Sequence, residues 1–173
     1  LGFTPTSARG ARATLSVTAT PAGSPDTILV PANTEFTTTV DGVVYNFQSI
    51  TSTVLDSDDG YTGSMVIREG DPVQESYTVS SVNPVRYILN NENADTSSLI
   101  VTVQQSVSNT SQQSYSKADD ITAIKSTSRV YFLQENNDGA YEVEFGDGVI
   151  GKALTDGNIV KLNYNVCNGS VVN

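Results

Sequence analysis

Tyr141-Glu142-Val143-Glu144-Phe145-Gly146-Asp147-Gly148-Val149-Ile150-Gly151-Lys152 is the stretch whose reading decides the fold. Two readings compete for it. Gly146-x-x-x-x-Gly151-Lys152 has the spacing of a phosphate-binding loop. Such a loop needs a Ser or Thr after the Lys to ligate Mg²⁺, and Ala153 stands there. It also needs a following helix whose first amides hold the phosphates, whereas Leu154-Thr155-Asp156-Gly157-Asn158 is turn chemistry. In the competing reading, Tyr141, Val143 and Phe145 alternate with Glu142 and Glu144, giving a strand with one apolar and one wet face. Gly146, Asp147, Gly148 and Gly151 then form a structural turn, because glycine takes positive φ at little steric cost. A second alternating run, Ile159 to Val166, follows Asp156-Gly157. The structural reading prevails, and it predicts an antiparallel β unit carrying this Phe-Gly-Asp-Gly hairpin.

The same period recurs along the chain. Leu15, Val17 and Ala19 alternate with Thr and Ser. Phe36 to Val40 and Val43 to Phe47 flank a hairpin turn at Asp41 and Gly42. Strands are also predicted at Ile28–Val30, Ile50–Leu55, Ser64–Glu69, Ser76–Val79, Tyr87–Leu89 and Arg129–Gln134. Leu99, Val101 and Val103 form one face of a long strand, which Val107 would extend. Ser106 to Ser116 reads as a loop or a solvated edge, and Asp119 or Asp120 as the cap of one or two helical turns. Strands about ten residues apart favour an all-β fold of antiparallel sandwich or barrel-like sheets. Val82-Asn83-Pro84 suggests a division into lobes 1–81 and 82–173.

Composition narrows the function. The chain of 173 residues carries nine Lys+Arg against nineteen Asp+Glu, a balance that argues against nucleic acid as a partner. It has no histidine, which removes the commonest general base and every Ser-His-Asp or Cys-His arrangement. Cys167 is the sole cysteine, so no internal disulfide forms, and it reads as a packing residue. No apolar run reaches the length of a membrane helix, and no cleavable signal is visible. Leu1 at the start and Asn173 just after an apolar pair read as the ends of a fragment of a longer protein.

Each possible site has a plainer reading. Asp56, Asp58 and Asp59 suggest calcium, but Gly60 falls at position five and Ile67 at position twelve of an EF-hand pattern, so a solvated turn is favoured over a weak cation site. Asn91, Asn93 and Asp95 fail the same test and read as a loop held by side-chain bonds. Asn109-Thr110-Ser111 and Asn168-Gly169-Ser170 match the glycosylation sequon, as chance allows in so polar a chain. Glu142 and Glu144 would stand about 7 Å apart on one strand face, a glycosidase-like spacing, yet they read as the wet face of the strand. No catalytic residue, cofactor or metal is assigned.

Several segments taken in order resemble the Baseplate J-like tail-wedge proteins of contractile-tailed bacteriophages, nearest the wedge subunit of the inner ring of large myophage baseplates. They are Gly2-Phe3-Thr4-Pro5 with Ala8 to Ala13, and Val30-Pro31-Ala32-Asn33-Thr34-Glu35-Phe36 before Asp41-Gly42. Tyr87 to Asn91 with Asp95-Thr96-Ser97 follow, then Phe145-Gly146-Asp147-Gly148, Gly151-Lys152, Gly157 to Val160, Tyr164 and Asn168-Gly169. Asn33 replaces the glycine common in related chains, which asks Asn for a left-handed backbone. The resemblance implies a structural role in the virion, with assembly in the host cytoplasm and contacts to copies of itself and to other wedge proteins. It implies neither catalysis nor a membrane. The helical segment with which such proteins bundle is not recognisable here. From another class, a carbohydrate-binding or adhesin-type β module would need a clustered aromatic platform, and the eight tyrosines are scattered along the sequence. A hydrolase is the least supported reading.

Overall fold

The structure is a computed structural model that describes residues 7–168. The chain is all-β; its single helical element among the described residues is a 3-10 turn, Ile121–Ala123, capped by Asp120, whose side chain accepts from the Thr122 amide. Among the described residues no helix is long and apolar enough to cross a membrane.

Two compact units are present, one of residues 10–71 with Cys167 and Asn168, the other of residues 7–9 and 72–166. The predicted 81/82 division therefore falls later than the observed one, and neither unit is a single continuous segment. Strand pairing is the reason, since β7 (Asp71–Thr78) is an edge of the second unit's sheet.

In the first unit, β1 (Arg12–Thr18), β6 (Thr62–Glu69), β4 (Val43–Ser49) and β3 (Glu35–Val40) form a four-stranded sheet in that order, antiparallel throughout. A ribbon of β2 (Thr27–Val30) and β5 (Thr53–Asp56) accompanies it. Leu55, Met65 and Ile67 are buried here together with Gln48, Ser49, Arg68 and Glu69. Glu69 accepts from the Asn168 amide through its carboxylate, and its own amide donates to the Ala11 carbonyl. Thus one buried residue holds both the incoming and the outgoing chain. Gly10 lies so close that a Cβ there would meet the Glu69 carbonyl at 2.1 Å.

The second unit is a seven-stranded sheet ordered β7, β13 (Ile159–Val166), β9 (Ala94–Gln104), β10 (Gln112–Lys117), β11 (Val130–Glu135), β12 (Tyr141–Phe145) and β8 (Tyr87–Leu89). Its one departure from the predicted antiparallel pairing is β10 against β11, which run parallel because residues 118–129 carry the chain back to the same end. Alternation does the packing. Val160, Leu162 and Tyr164 of β13 and Val101 and Val103 of β9 point inward, joined by Leu89, Tyr115, Tyr131 and Val143. Val107 lies past the end of β9 and is exposed, so the predicted face stops at Val103. Part of the Ser106–Ser116 loop is the strand β10.

The sheet curls into a nearly closed barrel, leaving a seam between its edges β7 and β8. Side chains span that seam. The Glu75 carboxylate accepts from the hydroxyls of Tyr77 and Tyr164, both at 2.8 Å, and from the Asn90 amide at 3.1 Å and side chain at 3.2 Å. The Tyr77 hydroxyl also lies 2.5 Å from the Ile88 carbonyl. Burial and the Glu75 carboxylate push Tyr77 up to about 12, and the same causes raise Tyr164.

Both tyrosines prefer to stay neutral in the folded chain, so the Tyr77 contribution is fully present below pH 10 and is lost as pH rises through about 12. Stability measured by urea unfolding should fall across that window, and the fall should flatten in Tyr77→Phe. Glu75→Ala removes the acceptor that both hydroxyls share and should cost about 1–3 kcal/mol at neutral pH. Leu162→Ala should cost about 2–5 kcal/mol, against less than about 0.5 kcal/mol for the exposed Leu29→Ala, in the same urea titration.

Candidate functional site

The Gly146–Lys152 loop follows β12 and closes on itself. A Cβ on Gly146 would lie 2.3 Å from the Gly151 carbonyl carbon, so only glycine permits the approach. Gly148 and Gly151 take φ of 90° and 86°. One carboxylate oxygen of Asp147 accepts from the amides of Ile150 (2.9 Å) and Val149 (2.8 Å), which holds this carboxyl below its usual range. The Gly148 amide donates to Gly151, the Gly151 amide to Lys125, and the Lys152 amide to Ser128. Every amide from Gly148 to Lys152 thus has a partner within the chain. A phosphate cradle needs those amides free and needs a helix beyond them, and neither condition is met. The loop is not a hairpin between its flanking strands either. β12 pairs with β11 and β8, and β13 with β9 and β7. The two alternating runs lie apart in the sheet because each finds other neighbours, a correction to the hairpin expected from sequence.

Asp41 and Gly42, with φ of 51° and 82°, are the two-residue loop between β3 and β4, where Val40 pairs with Val43. Asn33 takes φ of 62°, and its amide donates to Ser49. Asp56 accepts from the Asp58 amide, and no group of three or more metal-ligating acidic or cysteine side chains is found among the described residues. Asn91 accepts from the Asn93 amide in the turn ahead of β9, whereas Asp95 lies inside β9, where it accepts from the Ser97 amide, so the expected side-chain-held loop ends before Ala94. Asn109 is tied to Gln105 and Ser111 within the turn from β9 to β10, while the second sequon runs outside the described residues. Cys167 is buried and free of disulfide.

Glu142 departs from expectation. It is buried, whereas Glu144 is exposed, so the two do not share a wet face. Arg86, just ahead of β8, forks onto Glu142 through Nε and Nη2 and supplies the pairing that a buried carboxylate requires. Glu142 in turn raises the Arg86 guanidinium above its usual value. Four aromatic residues, scattered in sequence, gather inside the second unit. Tyr77, Tyr87, Phe145 and Tyr115 form a chain of edge-to-face contacts with centroids 5.3–5.7 Å apart. All four belong to the core or pack against it, so they offer no open sugar platform.

A polar cavity of about 180 Å³ opens beside the loop, lined among others by Ser111, Gln113, Tyr115, Lys152, Thr155 and Asn158. Asn158 is fixed there, its side chain donating to the Gln105 carbonyl and accepting from the Thr155 amide. Sequence reasoning missed this cavity, and also Glu75 and Arg86. For Glu75 a signal existed, since it occupies the Val73, Glu75, Tyr77 series on the half-buried face of β7.

Comparison with protein-family models and with curated proteins gives no match for the chain.

Replacing Asp147 by Ala removes the acceptor of two loop amides, so hydrogen exchange at Val149 and Ile150 should quicken while exchange in β12 stays unchanged. Asp147→Asn, which keeps a side-chain oxygen, should sit between the two.

Proposed function

We propose that this chain is a non-catalytic structural part of a phage tail baseplate wedge, acting in the virion by docking against copies of itself and against other wedge proteins. The order of the resembling segments supports the reading, and so does one feature of the first unit. Its sheet is open at both edges, and the β3–β4 hairpin projects beyond it. Phe47–Ser49 of β4 pair with β6 and the Asn46 carbonyl accepts from the Gly70 amide, so Val43–Tyr45 pair with β3 alone. Val40, Val43 and Val44 on this arm are exposed. An unpaired strand edge is a template for strand addition.

The partner that fits is a neighbouring copy. Three successive antiparallel pairings make β1 and β3 antiparallel, so β3 of one copy laid along β1 of the next continues the sheet. That contact is head-to-tail, the kind that closes rings. Aligned end to end, it brings Arg12 at the start of β1 beside Asp41 at the tip of the arm, two exposed and opposite charges.

One strand pair is a small contact, so the isolated polypeptide is expected to sediment as a monomer or a weak dimer and to multimerise stably only with its wedge partners. Arg12→Glu should weaken incorporation into tails, and the exchange Arg12→Glu with Asp41→Arg should restore it, read by counting chains in purified particles. A tail reconstruction with this chain outside the baseplate would refute the proposal.

A further inference from the structure

The cavity beside the Gly146–Lys152 loop has a charge character opposite to that of the chain. Nineteen Asp and Glu give the molecule a formal charge of −10, yet no carboxylate lines this cavity. Its charged wall residue is Lys152, whose ammonium has no hydrogen-bond or ion-pair partner among the described residues. Ser111, Gln113 and Tyr115 are alternate residues of one chain segment running through β10, which sets all three on one wall. Tyr115 is only 6% exposed, and its ring packs edge-to-face on Phe145, but its hydroxyl has no hydrogen bond among the described residues. With no partner in the described chain, this hydroxyl opens onto the cavity as an uncommitted donor. Burial raises Tyr115 above its ordinary value while Arg129 opposes the shift, so the hydroxyl keeps its proton at neutral pH.

We propose that this cavity binds a carboxylate, with the Lys152 ammonium as counter-ion and the Tyr115 hydroxyl, the Gln113 amide and the Ser111 hydroxyl as hydrogen-bond donors. A phosphate is disfavoured, because one lysine faces the site and the neighbouring loop amides are committed to Asp147, Gly151, Lys125 and Ser128. The space matches about six water molecules, enough for a small carboxylic acid or for the end of an acidic side chain. Free acid and protein side chain share this chemistry. The site is independent of the wedge reading and stands or falls without it.

The test is a chemical-shift titration of the full 173-residue chain at neutral pH and fixed ionic strength. The probes are sodium acetate, acetamide, a capped Ala-Glu-Ala peptide and its Ala-Gln-Ala counterpart. Acetate or the glutamate peptide should give saturable shifts at Lys152, Gln113 and Tyr115, with a Kd on the order of 1 mM. Response to acetate marks a small-molecule site, and response to the peptide alone marks an acidic segment of a partner protein. Lys152→Met should weaken binding at least about tenfold, and Tyr115→Phe, which keeps the packed ring, by about three- to tenfold. Lys152 is exposed and joins the fold through its backbone amide, so the variant is expected to keep the spectrum of the remaining chain. Equal shifts with acetamide or the glutamine peptide, no shift with any probe, or binding undiminished in Lys152→Met would overturn the proposal.

Discussion

The carboxylate of Glu75 is the constraint on which the barrel of the second unit depends. Seven strands leave β7 and β8 as two edges that face one another without a backbone ladder. Open edges expose unpaired amides and carbonyls, which cost free energy when buried and invite foreign strands when exposed. Here the missing bonds come from side chains. Glu75 collects four donors from Tyr77, Tyr164 and Asn90, and Tyr77 reaches the Ile88 carbonyl of the opposite edge. A half-buried carboxylate is tolerable only when so supplied. The aromatic chain from Tyr77 through Tyr87 and Phe145 to Tyr115 starts at the same seam and runs into the core. Polar closure and apolar packing therefore share a residue, Tyr77.

The first unit treats its edges differently. β1 and β3 are the edges of an open sheet, and the β3–β4 hairpin runs beyond its last contact with β6. The interior of this unit is also more polar. It rests on Gln48, Ser49, Arg68 and Glu69 as well as on Leu55, Met65 and Ile67. Hydrogen-bonded interiors are specific in geometry but add little net stability per bond, about 1 kcal/mol. The two units of one chain thus differ in where their hydrogen-bonding capacity lies. The barrel has spent its capacity internally, and the open sheet presents it outward.

The Gly146–Lys152 loop illustrates how a motif is decided by its amides. Its spacing matches a nucleotide-binding pattern, but Asp147 occupies the amides that a phosphate would use. The loop then serves as a wall, held to Lys125 and Ser128 and carrying Lys152 to the rim of the cavity.

Alternation alone determined the all-β class, most strand positions and the Asp41-Gly42 turn, because a period of two and a glycine at positive φ are local properties of adjacent residues. Local chemistry likewise placed the Asp120 cap and the side-chain bonds of Asn91 and Asp95. Pairing was not local. That β12 would lie between β11 and β8 instead of against β13, that β10 and β11 would run parallel, and that β7 would leave the first unit are choices among edges offering the same backbone groups. Only the packed core, which must bury Val143, Leu162 and Val101 together, selects among them. The same holds for Glu142, which reads as a wet residue in sequence, and for Glu75, which the sequence did not single out. Arg86 lies 56 positions from the first of them, and Tyr164 lies 89 from the second, so their partners arrive only when the sheet has curled.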